Sequence, residues 1–151
     1  MSARRTDTPE RIPLLSLLLG YGPVLIILLA GVAFLFDRLW AVRFGQLWAA
    51  AILIFLAGVV RGLSFFTEGG PRMTQLLMML LRFLCGIGGL IISPPFAFGI
   101  LGLGYLSIPF YDARAARTGA APRYFARLRP PQMAIALAGL VLLSIPAANG
   151  G

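Results

Sequence analysis

Two arginines are the residues of this chain that most demand a chemical explanation. Arg61 and Arg82 each sit inside a long apolar run, and an arginine at the centre of a bilayer costs about 2.5–3.5 kcal/mol on insertion scales. The chemistry open to such a residue is attraction of an anion. Arg82 lies near the middle of its run, so it should face other helices or snorkel, and it invites a partner. No carboxylate falls inside any apolar run as the hydropathy divides them. The expected partners are therefore helix-end carbonyls, Ser64, Tyr105, Ser107, a lipid phosphate or another subunit. Arg61 lies closer to the end of its run and can reach the interface, where Glu68 or a lipid phosphate would meet it.

Other chemistry is poorly provided for. The five acidic residues (Asp7, Glu10, Asp37, Glu68 and Asp112) are scattered, which leaves no paired carboxylates for acid–base work. All thirteen basic residues are arginine, so no histidine stands beside a nucleophile and no lysine closes a phosphate-binding loop. One cysteine, Cys85, and no histidine exclude the usual zinc ligand sets and histidine-ligated haem. The expectation is a protein with no catalytic residues, no metal and no cofactor. Few ionisable groups at membrane depth also argue against an ion-coupled carrier.

The elements that carry these residues are membrane spans. Hydrophobic residues make up 59% of the chain and charged residues 12%, too little charge to cover a soluble surface. Several apolar runs approach the roughly 20 residues needed to cross a bilayer. The pattern predicts an all-α, polytopic bundle of five helices forming one transmembrane domain, with spans at about 13–36, 44–66, 73–92, 96–111 and 131–148. The first run is longer than a signal-peptide core and leads into more apolar sequence, so it reads as a retained span. Pro23 should kink it. Asp37, Arg38, Trp40 and Arg43 read as a polar corner before the second span.

Charge sets the expected orientation. Nine arginines fall in the tail and loops on the side of the N-terminus and two on the opposite side. The positive-inside rule then makes the N-terminus cytoplasmic and puts the C-terminus across the membrane. The net charge of +8 is explained by these flanking loops and anionic head groups, without nucleic acid. The densest stretch is a predicted basic loop over 112–129, with Arg114, Arg117, Arg123, Arg127 and Arg129. Its segment PRYFARLR reads as a short interfacial helix with a basic side. Small residues four apart (Gly58 and Gly62, Cys85 and Gly89, Ala134 and Ala138) predict close helix packing within the bundle.

The stretch ILIFLAGVVRG at 52–62 resembles the central motif of a family of small membrane proteins of unknown function. It is the domain-of-unknown-function family numbered 3429, to which transmembrane protein 69 of animals also belongs. The family's second span resembles I-L-S-F-L-G-G-[IV]-[HR]-W-G. Phe55, Leu56, Gly58, Val59 and Gly62 match it, Ala57 replaces a glycine, and Val60-Arg61 stands where a basic residue and a tryptophan are expected. Asp112-Ala113-Arg114 and the segment 122–129 are similar to the family's D-R-R and P-x-[WY]-F-x-R-L-R stretches. The resemblance covers about residues 13–146 and implies a bacterial or mitochondrial inner-membrane setting without implying an activity.

These readings lead to two expectations. The first is a non-catalytic, multi-pass protein of the bacterial inner membrane that serves as an accessory or assembly subunit of a larger complex, respiratory or photosynthetic. Its partners would be other membrane subunits, met through Arg82 and the basic loop. The second is a small lipid- or anion-binding protein or passive transporter, with Arg82 and Arg61 as the attracting groups.

Overall fold

A computed structural model describes residues 11–36 and 39–149, without the side chains of 146–149. Arg4, Arg5, Asp7 and Glu10 of the tail and Asp37 and Arg38 of the predicted corner lie outside the described residues. The described chain forms five helices: α1 (Leu14–Leu35), α2 (Trp40–Ser64), α3 (Met73–Ile91), α4 (Phe96–Arg117) and α5 (Phe125–Asn149). All five are long and apolar enough to cross a membrane. Each helix packs on its neighbours in sequence, and α5 returns to pack on α1, which closes the ring. From its place in that ring α2 also reaches across to α4 and α5.

Three boundaries differ from the hydropathy reading. The second helix begins at Trp40 rather than at 44, so Trp40 and Arg43 of the predicted corner belong to its first turn; the other two differ for local reasons. The fourth helix does not stop at Tyr111 but runs on to Arg117. Alanine and arginine in 113–117 are good helix formers, and the stop comes later, at Thr118-Gly119. There Gly119 takes a left-handed φ of +77°, and the Ala120 N–H donates to the Ala115 carbonyl at 2.8 Å. This is a Schellman ending, in which glycine adopts the positive φ at little cost. The fifth helix likewise begins at Phe125 rather than at the Pro130-Pro131 pair. The prolines leave the Ala126 and Arg127 carbonyls without main-chain partners, and these lie in the helix's first turn. The predicted loop over 112–129 is thus reduced to a connection between Arg117 and Phe125, and PRYFARLR is not a separate interfacial helix.

The core holds the helices together by close backbone approach and by side-chain bonds to carbonyls. A Cβ placed on Gly139 would lie 2.7 Å from the Ile27 carbonyl carbon, and one on Gly31 would lie 2.9 Å from the Gly139 oxygen. The α1–α5 crossing therefore excludes side chains at both positions. Gln46 of α2 donates to the carbonyls of Gly89 (2.7 Å) and Ile92 (2.9 Å) at the end of α3, where no further turn supplies N–H partners. The Tyr105 hydroxyl donates to the Ala49 carbonyl at 2.8 Å, and the Trp48 indole donates to the Pro23 carbonyl at 2.9 Å. In the absence of water each such bond satisfies a donor that would otherwise be costly to bury.

Candidate functional site

The helical repeat of α4 puts a carboxylate into the bundle. Leu101, Tyr105 and Ile108 are fully buried, and the same stripe continues through Asp112 (6% exposed) to Ala115 and Ala116. Facing it is Arg82, which is fully buried halfway along α3. Side chains on a helix lean toward its N-terminus. For α3 that is the end of the bundle where α4 stops and α5 starts, so Arg82 reaches toward Asp112. Its Nη2 lies 2.7 Å from Asp112 Oδ1, and its Nε donates to Ser107 Oγ at 3.2 Å. Ser107 in turn donates to the Gly104 carbonyl at 2.7 Å.

A second cation completes the site from α5. Arg129 Nε lies 3.2 Å from Asp112 Oδ2, yet that N–H makes no hydrogen bond, so the attraction is one of charge rather than of aimed donor and acceptor. Arg129 Nη1 donates to Gln132 Oε1 at 3.1 Å, and Gln132 Nε2 donates to the Gly20 carbonyl at 2.6 Å. The Arg129 guanidinium also stacks 4.4 Å from the Phe125 ring centre. One carboxylate thus lies between two guanidinium groups, in a chain of contacts that ties α3, α4, α5 and α1 together. With all three groups ionised the cluster carries a net charge of +1.

This arrangement adds to the expected partners of Arg82 a carboxylate that the hydropathy reading leaves outside the spans. Its countercharge is Asp112 of the same chain, which the extended α4 brings to membrane depth. Of the expected hydroxyls only Ser107 serves Arg82. Ser64 is engaged with Arg61, accepting from its Nη1 at 3.0 Å, and Tyr105 with Ala49. Arg61 is half-buried and lies 4.2 Å over the Phe65 ring. Arg129, expected in an interfacial loop, is buried at 6% exposure. Arg114, Arg117, Arg123 and Arg127 are exposed near the same end of the bundle, together with Arg11 and Arg72.

The small-residue pairs divide. Gly89 packs against Leu101, and Cys85 packs against the Gly104 backbone. Gly58 and Gly62, by contrast, have no atom within 4 Å of an added Cβ, and Gly58 is exposed. Their pairing is not used inside this bundle, and neither is that of the exposed Ala134 and Ala138. The glycines at the α1–α5 crossing do that work instead.

Beside Arg129 lies a cleft of about 210 Å³ between α1, α2 and the start of α5. Ser16, Tyr124, Arg129 and Gln132 give it polar groups, and Leu19, Ile52, Phe55 and Leu56 line its apolar part. A second hollow, against Asp112 and Gln75, holds only about 10 Å³. Among the described residues no three His, Cys, Asp or Glu side chains come together as a metal site would require. The chain was compared with protein-family models, characterised proteins and solved structures, and no match was found in any of the three.

Proposed function

We propose that this is a non-catalytic integral membrane protein, of the bacterial inner membrane, that binds anionic lipid at its arginine-rich end. The observation that carries this reading is the division of its charges. The deep charges of Arg82, Asp112 and Arg129 engage one another within the chain, whereas Arg11, Arg72, Arg114, Arg117 and Arg127 are exposed where α1, α3 and α5 begin and α4 ends, with Glu68 as the only exposed acid there among the described residues. Each arginine near an anionic surface contributes about 1 kcal/mol of attraction. By the positive-inside rule that end faces the cytoplasm. Asp112, the one carboxylate within the helices, is engaged by two arginines, which favours a binding role over acid–base chemistry. The kinship with family 3429 remains part of this proposal and rests on the motifs at 52–62 and 122–129.

The test is reconstitution in nanodiscs of mixed phosphatidylglycerol and phosphatidylcholine. Lipid retained by the protein should be enriched in phosphatidylglycerol, less so at high salt, and much less when Arg114, Arg117 and Arg127 are replaced by glutamine. Retained lipid at the bulk ratio would overturn the reading.

A second reading, an accessory subunit of a larger complex, is favoured by the outward Gly58 and Gly62. Such a pair lets another helix approach closely, and among the described residues no side chain or backbone packs against it. A native gel of the protein from its own membrane should then show a large band with defined subunits. Migration as a small species would count against it.

A further inference from the structure

We infer that the cleft between α1, α2 and α5 is a specific site for one acyl chain bearing an anionic head group, a carboxylate or a phosphate, with Arg129 as the head-group ligand. The inference rests on the lipid-binding reading but concerns a separate place, an open groove on the flank of the bundle rather than its arginine-rich end. Three observations converge on it.

The first is amphipathic shape. Ser16 and Tyr124 sit near the start of α1 and just before α5, whereas Ile52 and Leu56 lie midway along α2. The cleft therefore runs from polar groups at the end of the bundle to apolar groups at membrane depth, the same direction as a lipid from head group to chain. The second is a buried cation in the wall of the cleft. Arg129 lines it at 6% exposure, and its Nε is held 3.2 Å from Asp112 Oδ2 by charge rather than by an aimed hydrogen bond. An anion in the cleft would offer charge-assisted acceptors to the same guanidinium. The third is charge. One carboxylate against two guanidinium groups leaves an excess of one positive charge beside the cleft, which an anionic head group would neutralise. A zwitterionic head group brings no net charge to do so.

The test is native mass spectrometry of the full chain in mild detergent with three probes: palmitate, palmitoyl-lysophosphatidylglycerol and palmitoyl-lysophosphatidylcholine. One equivalent of an anionic probe should bind about tenfold more tightly than the choline lipid, the order expected of one hydrogen bond to a charged group. Binding of palmitate alone assigns the site to a free fatty acid, and binding of the lysophosphatidylglycerol alone assigns it to a phosphate head group. Arg129→Gln leaves the Arg82–Asp112 pair intact and should erase the preference for anions. Ser16→Trp fills the cleft without changing charge and should abolish binding of all three probes while the thermal unfolding midpoint is kept. Equal binding of the choline and anionic probes by the native chain would overturn the inference. So would an undiminished anionic adduct in Arg129→Gln. An adduct lost on replacing Arg114, Arg117 and Arg127 but kept in Arg129→Gln would leave surface lipid binding standing and remove the cleft site.

Discussion

Replacing Asp112 with asparagine keeps the size of the side chain and removes its charge. In the native bundle Asp112 is shared by Arg82 at 2.7 Å and Arg129 at 3.2 Å. The substitution raises the cluster from one excess positive charge to two, with both guanidinium groups more than nine-tenths buried. Removing one partner of a buried pair costs about 3–5 kcal/mol, because it strands a charge. Here two charges are stranded, so the upper part of that range is expected. Arg82→Gln and Arg129→Gln each leave Asp112 with one guanidinium and a neutral pair, and should cost less than Asp112→Asn. The double variant Asp112→Asn with Arg82→Gln returns the cluster to a single positive charge and should recover part of the loss. The assay is reversible unfolding in mixed micelles, followed by the fluorescence of Trp40 and Trp48. An Asp112→Asn protein as stable as the native one, or one more stable than Arg82→Gln, would refute the reasoning.

Further outcomes follow from the packing. Gly139→Leu drives a side chain into the Ile27 backbone, which lies 2.7 Å from an added Cβ, and overpacking of this kind costs about 1–3 kcal/mol. A Cβ on Gly58 meets no atom within 4 Å, so Gly58→Ala should not lower the stability read in the same assay. Gln46→Leu removes the donor that serves the Gly89 and Ile92 carbonyls and should cost about 1–3 kcal/mol in the same assay. Gly119→Ala places a Cβ on a residue with φ of +77° and should lower stability by about 1 kcal/mol.

The five spans were legible because each carries enough apolar sequence to cross a bilayer, and hydropathy responds to that alone. The charge cluster was not, because hydropathy also cut the chain where its polarity rises. Asp112 and Arg129 both fell into a stretch that looked like a loop. Two local signals pointed the other way. The period that buries Leu101, Tyr105 and Ile108 returns at Asp112, and a helix stop is written at Thr118-Gly119 rather than at Tyr111. Following the helical period instead of the mean hydropathy would have placed a carboxylate opposite Arg82. Gly58 and Gly62 show the converse error. Spacing put them on one helix face but could not say which way that face points, since only the arrangement of the other helices decides it. The crossing of Gly31 and Gly139 was hidden for the same reason, because these glycines lie on different helices far apart in sequence.

The most direct test of the functional account is extraction of the native protein from its own membrane in polymer nanodiscs, with lipid and protein content measured by mass spectrometry. The account predicts anionic lipid enriched over the surrounding membrane, including one equivalent that survives transfer to detergent. Lipid at the bulk composition, together with a stoichiometric protein partner, would contradict it and support the accessory-subunit reading.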